Sequence, residues 1–361
     1  MYIRHLAFKP DFEQTIERFE AWWLGEMIDR PPITLSVIPS RPSYAPRSSH
    51  QSHRQRWLDI EFVIESAIAT MERTDYVADS YPIFWSNIGP EITSTLFGCD
   101  LTFTENTSWS APVIHQADDW QRLLQFAPNF ENPYWLAMEQ MTDLAIERCE
   151  GRYVVGLTDL HGNYDILAGL RDPMQLNLDL MDCPELVIQA GRHVAKGYVT
   201  AFERLYNKVK NAGFGTTTWC PVYHEGPAYV PSSDFWCMVS PRMAREWIWP
   251  DILVEMEPLE RSIFHLDGVQ ALHHLDLLLD LPKLNAVQWV YGAGHGPALR
   301  WVDVYRRIRA AGKSLQLIAQ DPADALAVLE QIGTKGVYIS VEQPFASVEE
   351  AETFVKQVGK S

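Results

Sequence analysis

The chain has 361 residues, 47% hydrophobic and 21% charged, which suits one large barrel domain or two small domains and excludes a disordered chain. No run reaches about 18 uninterrupted apolar residues, so no membrane-spanning helix is expected. Thirty Lys and Arg against 47 Asp and Glu leave a net charge of −17, which argues against nucleic acid as a partner.

In chain order, Phe12, Ile16, Phe19, Trp22 and Trp23 recur at helical spacing over residues 11–25. Pro31-Pro32 stops that helix, and Ile33–Ile38 reads as a first strand ended by Pro39. Residues 40–53 are polar and contain Pro, the pattern of an exposed loop. Residues 57–71 are helical by pattern, and Tyr76–Phe84 leads into Trp85-Ser86-Asn87 as a second strand. Residues 91–133 break the alternation, and short β-like pieces near Leu101 and Trp109 predict an insertion with its own local sheet. A helix over 132–149 precedes a third strand, Tyr153–Thr158. Helices over 165–180 and 184–212 precede a fourth strand, Phe214–Cys220, and an aromatic loop from Tyr223 to Tyr229. Segments 234–240 and 241–256 look helical, with Pro241 suited to a helix start. Strands at Ser262–His265, Ala286–Val290, Ser314–Ile318 and Gly336–Val341 then alternate with helices. Ser347 and Glu350 have capping-box spacing before the last helix.

Eight strands separated by helices predict an α/β fold, a (β/α)8 TIM barrel in one domain over 1–361. It carries an N-terminal helical extension and the 91–133 insertion between strands two and three. A doubly wound open sheet is the alternative. No strand is followed by Gly-x-Gly-x-x-Gly, so neither NAD nor flavin is expected. The Gly292–Gly296 run reads as a tight turn that a substrate approaches. The five cysteines, Cys99, Cys149, Cys183, Cys220 and Cys237, form no Cys-x-x-Cys pair. With no signal-like segment at the N-terminus, reduced thiols in the cytoplasm are the expectation.

Active sites of such barrels lie at the C-terminal strand ends. The candidates there are Trp85 and Asn87, Asp159 and His161, Trp219, Cys220, Tyr223 and His224, His265 and Asp267, Gln288, Trp289 and His295, and Glu342. Polar residues at strand ends also arise simply because these ends meet water. In His265-Leu266-Asp267-Gly268 the i and i+2 side chains share a face, so the pair can ligate a metal or act as a base and its orienting carboxylate. The bland alternative is a buried His held by its neighbouring Asp. Asp159-Leu160-His161-Gly162 repeats the pair in reverse order, with Asp159 as an acid/base group or as a turn cap. Cys220 reads as a packed thiol. Of the 13 Trp, those at 22, 23, 57, 247 and 249 fall on helices and suit the core. Trp85, Trp219 and Trp289, with Tyr223, are placed around a ligand, together with Asn87, His224, Gln288 and His295 as substrate-binding residues.

The run Asp234-Phe235, Ser240-Pro241-Arg242-Met243, Glu246 and Pro250 resembles the Ser-Pro-containing helix start of the uroporphyrinogen decarboxylase and corrinoid methyltransferase superfamily. His265-Leu266-Asp267-Gly268 resembles its His-x-Cys-Gly, and Arg18, Trp22-Trp23, Asp29-Arg30-Pro31 and Trp289–Gly294 resemble further members. The resemblance spans nearly the whole chain and implies a (β/α)8 barrel. On its methyltransferase side it implies a zinc that activates a thiol for methyl transfer from a corrinoid carried by a partner protein. His265 matches the first ligand, Asp267 replaces one cysteine, and Glu342 falls where the later cysteine would be. His265, Asp267 and Glu342 would then hold zinc or another divalent metal. On its decarboxylase side the resemblance implies Arg41, Arg47 and Asp79 against a polyanionic porphyrinogen, a poor fit to a chain of charge −17.

Three functions follow as expectations. The first is a metal-assisted enzyme of the corrinoid-linked methyltransferase type, with Asp159 or His161 as acid/base. The second is a metal-free lyase or decarboxylase on a small polar or sugar-like substrate, with Asp159 and Asp267 as catalytic carboxylates. The third is an aromatic cage that binds a methylated amine.

Overall fold

The fold is described by a computed structural model covering residues 2–40 and 45–360. Arg41 lies outside the described residues. The ten strands are β1 (Ile33–Thr34), β2 (Ile83–Trp85), β3 (Asp100–Phe103), β4 (Ser108–Ala111), β5 (Val154–Gly156), β6 (Ala228–Tyr229), β7 (Arg261–Asp267), β8 (Ala286–Val290), β9 (Ser314–Ala319) and β10 (Val337–Val341). Six form one parallel sheet in the order β1-β10-β9-β8-β7-β6, β2 pairs in parallel with β5, and β3 and β4 form an antiparallel hairpin within the 91–133 excursion.

The clearest pattern in the sequence produces the best-formed part of this sheet. β7 to β10 are buried over most of their length on both faces, as parallel strands covered by helices require. Asp321 caps the helix Pro322–Ile332 by accepting from the Asp324 amide, and Ser347 caps Val348–Val358 by accepting from Glu350 at 3.2 Å. The Glu350 carboxylate reaches back to the Ala346 amide at 3.0 Å, one residue before the position a standard capping box uses. The N-terminal helix Phe12–Trp23 buries Phe12, Ile16, Phe19, Trp22 and Trp23, the spacing read from sequence.

The first half departs from long strands because side chains take over from the ladder. The Asp79 carboxylate accepts from the Ile33 amide at 2.9 Å, and Ser80 Oγ accepts from the Leu35 amide and donates to its carbonyl. The second strand therefore shrinks to β2. Residues 214–220 form no ladder strand, because the chain doubles back and Thr216 exchanges backbone hydrogen bonds with His224. Thr217 nevertheless accepts from the Leu157 amide at 2.8 Å, and Thr216 Oγ1 accepts from Ala228 at 3.0 Å. The Asp79 amide donates to the Ile33 carbonyl, and Val154 donates to Pro82. Isolated backbone and side-chain hydrogen bonds thus add to the β2–β5 ladder in linking β1, the residues before β2, β5, the 216–217 segment and β6.

The large rings are mostly structural. Trp22, Trp120, Trp135, Trp236 and Trp289 are fully buried. Among the described residues, no helix is long and apolar enough to cross a membrane.

Candidate metal centre at the strand ends

Three pieces of chain converge at the C-terminal ends of β5 and β7. The alternation of β7 puts His265 and Asp267 on one face. The strand stops there because Gly268 adopts a positive φ of 81°, costly for other residues, while its amide donates to Val290 at 2.9 Å.

After β5, Tyr229 pins the chain: its hydroxyl accepts from Leu160 at 2.7 Å and donates to the Thr158 carbonyl at 2.6 Å. That places Asp159 and His161 at the rim, with Asp159 Oδ2 3.8 Å from His161 Nε2. Gly162 follows because a Cβ there would stand 2.4 Å from Glu255 Oε1. The buried Glu255 carboxylate accepts from both the amide and the side chain of Asn163, which opens the helix Asn163–Arg171.

Asp165 sits in the first turn of that helix. Its two oxygens accept from the amides of Asp234 (2.9 Å) and Phe235 (2.8 Å), capping the short turn Phe235–Met238. This bond pair carries Asp234 into the site. Backbone contacts support it, since His265 donates to Pro231 at 2.9 Å. Two sets of ligand atoms result, His161/Asp165/Asp234 and Asp234/His265/Asp267, with the atoms in each set within 4.8 Å of one another.

The electrostatics of these groups suit a cation. Burial raises Asp159 above the usual carboxylate range, against the pull of His161 and His265. Burial and the neighbouring Asp234 push Asp165 up to about 7. Burial also raises Asp267, with His265 acting in the opposite direction. For His161, burial favours the neutral ring, but Asp159, Asp165 and Asp234 outweigh it and raise its pKa. Among the described residues, the only ion pair made by these four aspartates is the contact of Asp159 with His161. Among the described residues, four carboxylates and two imidazoles therefore share the rim without a Lys or Arg partner.

His265 is oriented from behind. Its Nδ1 donates to Gln288 Oε1, Gln288 Nε2 donates to Gln316 Oε1 at 2.8 Å, and the Cys220 thiol donates to the same oxygen at 3.2 Å. Cys220 is thus a packed thiol, and burial pushes its pKa up. Trp219 stands edge-on to the His265 ring, centroids 5.2 Å apart. A histidine with Nδ1 bonded to an amide oxygen presents Nε2 as the basic nitrogen, the arrangement typical of metal-ligating histidines.

Other sequence candidates lie elsewhere. Glu342 is exposed beyond the end of β10 and belongs to neither ligand set. β10 is three strands from β7 in the sheet order. Asp234 is the third member of the set that contains His265 and Asp267.

Tyr223 is fully buried against Phe12 and Tyr81, and its hydroxyl accepts from Gly215. His224 bonds Glu20 of the N-terminal helix at 2.9 Å. Both are carried away from the rim by the chain reversal at Thr216. Trp289 points to the opposite face of β8 from Gln288 and packs fully buried against Trp301. Gln288 supports His265 from the interior. Asn87 is exposed and accepts from Gly89, Trp85 is half-buried opposite Gly156, and His295 is exposed on the Gly-rich loop. Asp79 lies before β2, held between Arg18 and Arg30. Arg47, the other basic residue implied by the decarboxylase side, is exposed and belongs to neither ligand set.

The rim residues that sequence reasoning missed are Asp165 and Asp234. Asp234 stood in the run that carries the family resemblance. Asp165 looked like an ordinary first-turn acid.

No protein-family model matches the sequence, and no curated protein matches it. Among solved structures, a methyltransferase from Methanosarcina mazei matches with TM-score 0.63 at 12% identity, covering 96% of this chain and 98% of that chain. A B12-independent methionine synthase from Shewanella sp. W3-18-1 in complex with selenomethionine matches with TM-score 0.41 at 10% identity, covering 92% of this chain and 97% of that one. The chain therefore has the fold of a methyltransferase over nearly its whole length.

Proposed function

We propose that this protein is a metal-dependent methyltransferase whose barrel closes through the isolated hydrogen bonds between β1, the 79–82 segment, β5, the 216–217 segment and β6. The observation that carries the reading is the convergence of Asp234, His265 and Asp267, with ligand atoms within 4.8 Å, at the strand ends. One nitrogen and two carboxylate oxygens suit zinc or a harder divalent metal, and a fourth position stays open for substrate. A metal there would supply Lewis acidity that favours the deprotonated form of a bound nucleophile.

The chain's own groups divide the remaining work. Gln288 holds the His265 ring so that Nε2 is the free nitrogen. Asp159, raised by burial, takes the acceptor's proton. Trp219 shields the His265 side of the site from water. The methyl donor in this reading is a corrinoid carried by a partner protein, and the acceptor is a small nucleophile. The described cysteines are all free, which supports a reducing compartment such as the cytoplasm.

The test combines metal analysis with a methyl-transfer assay using methylcobalamin and a small thiol. Bound metal in the purified protein, with transfer lost in Asp267→Ala and after chelation, is the expected result. Absence of bound metal ends this reading.

A second reading rests on the two raised carboxylates, Asp159 and Asp165, which could serve as acid and base in a metal-free lyase. Its distinguishing outcome is turnover of a small polar substrate that survives exhaustive chelation.

A further inference from the structure

We propose that the rim holds two divalent cations, with Asp234 bridging them: one on Asp234/His265/Asp267 and a second on His161/Asp165/Asp234. The inference rests on the metal-dependent reading above and extends it with a second site.

Geometry separates the two sites. A ligand atom sits about 2.0–2.2 Å from zinc, so two atoms on one ion are at most about 4.4 Å apart. The five candidate residues do not form a single set within 4.8 Å; they form two sets that share Asp234. No single ion can therefore use all five. Asp234 is the exposed member and has two carboxylate oxygens, one for each position. Carboxylate-bridged pairs of this kind place their ions about 3.5–4 Å apart.

The second set is also built independently of the first. The Asp165 carboxylate is fixed by two backbone amides, one of them the amide of Asp234, so the spacing of these two ligands is set by the backbone. The His161 carbonyl accepts from Thr93 Oγ1 at 2.6 Å, but its imidazole makes no hydrogen bond among the described residues, and Asp159 Oδ2 stands 3.8 Å from its Nε2. An imidazole held at a rim without a hydrogen-bond partner is available as a ligand. In the doubly loaded protein His161 is a ligand, and the proton is left to Asp159.

The experiment loads the full chain with Zn2+, removes free metal and measures bound zinc per chain. Two equivalents are expected for the unaltered protein, one for His161→Gln and one for Asp267→Asn. A parallel Co2+ loading reads spin coupling by electron paramagnetic resonance. Coupled ions are expected in the unaltered protein, and an uncoupled signal in His161→Gln. The Co2+ measurement needs no variant, so a folding defect in a variant does not remove the test. One equivalent with an uncoupled signal in the unaltered protein overturns the second site and leaves the first. No bound metal overturns both.

Discussion

His265 and Gln288, paired across β7 and β8, share a hydrogen bond from the imidazole Nδ1 to the amide oxygen. The same glutamine donates to Gln316, so the ring orientation is fixed by a chain of interior amides. Gln288→Leu keeps the volume and removes the acceptor. It is expected to weaken metal affinity about 10–100-fold, the usual effect of losing a histidine's supporting partner. Competition against a chelating indicator dye measures this.

Asp267 and Glu342 separate the sequence-based ligand set from the structural one. Asp267→Ala should abolish metal retention at the first site together with methyl transfer. Glu342→Gln, on an exposed residue outside both ligand sets, should change neither by more than about twofold, within the ±0.5 kcal/mol typical of surface substitutions. Zinc content and initial rates for the two variants, measured side by side, check the assignment.

Asp251 is buried, and neither carboxylate oxygen has a hydrogen-bond partner among the described residues. Burial pushes it up to about 7, with Arg192 only partly opposing. Its ordinary value is about 3.9, so between about pH 4 and 7 the folded protein holds a proton that the unfolded chain has released. Stability from this group is therefore present at low pH and is lost as pH rises towards 7. Asp251→Asn should flatten that dependence and raise stability at pH 8 by about 1–3 kcal/mol, the size of an uncompensated buried polar group. Urea unfolding at pH 5 and pH 8 reads the difference.

Asp79 is fully buried, paired with Arg18 at 2.9 Å and with Arg30, and accepts from the Ile33 amide. Asp79→Ala leaves two guanidinium groups without their shared partner and β1 without an anchor. A loss of about 3–5 kcal/mol is expected, as for other broken buried pairs. The shift in urea midpoint measures it, and metal content per folded chain should stay unchanged because Asp79 lies outside the rim.

Local pattern alone determined the alternation of strands and helices, the position of the last four strands, the caps at Asp321 and Ser347, and the face shared by His265 and Asp267. These depend on periods of two or 3.6 residues and on short-range capping, which are written into neighbouring residues. Asp159 and His161 were legible for the same reason, as polar residues just past a strand.

Only the tertiary structure decided which distant residues meet. Asp165 and Asp234 are 69 residues apart, and the bonds between them depend on how a helix start docks on a short turn. Glu342, read as a ligand from its place at a strand end, belongs to neither set of ligand atoms, whereas Asp234, read only as part of a helix entry, belongs to both. Tyr223, His224 and Trp289 were misplaced because sequence position at a strand end does not tell which way the chain then turns or which face a ring occupies. Strand order and chain reversal arise from long-range packing, and no local period encodes them.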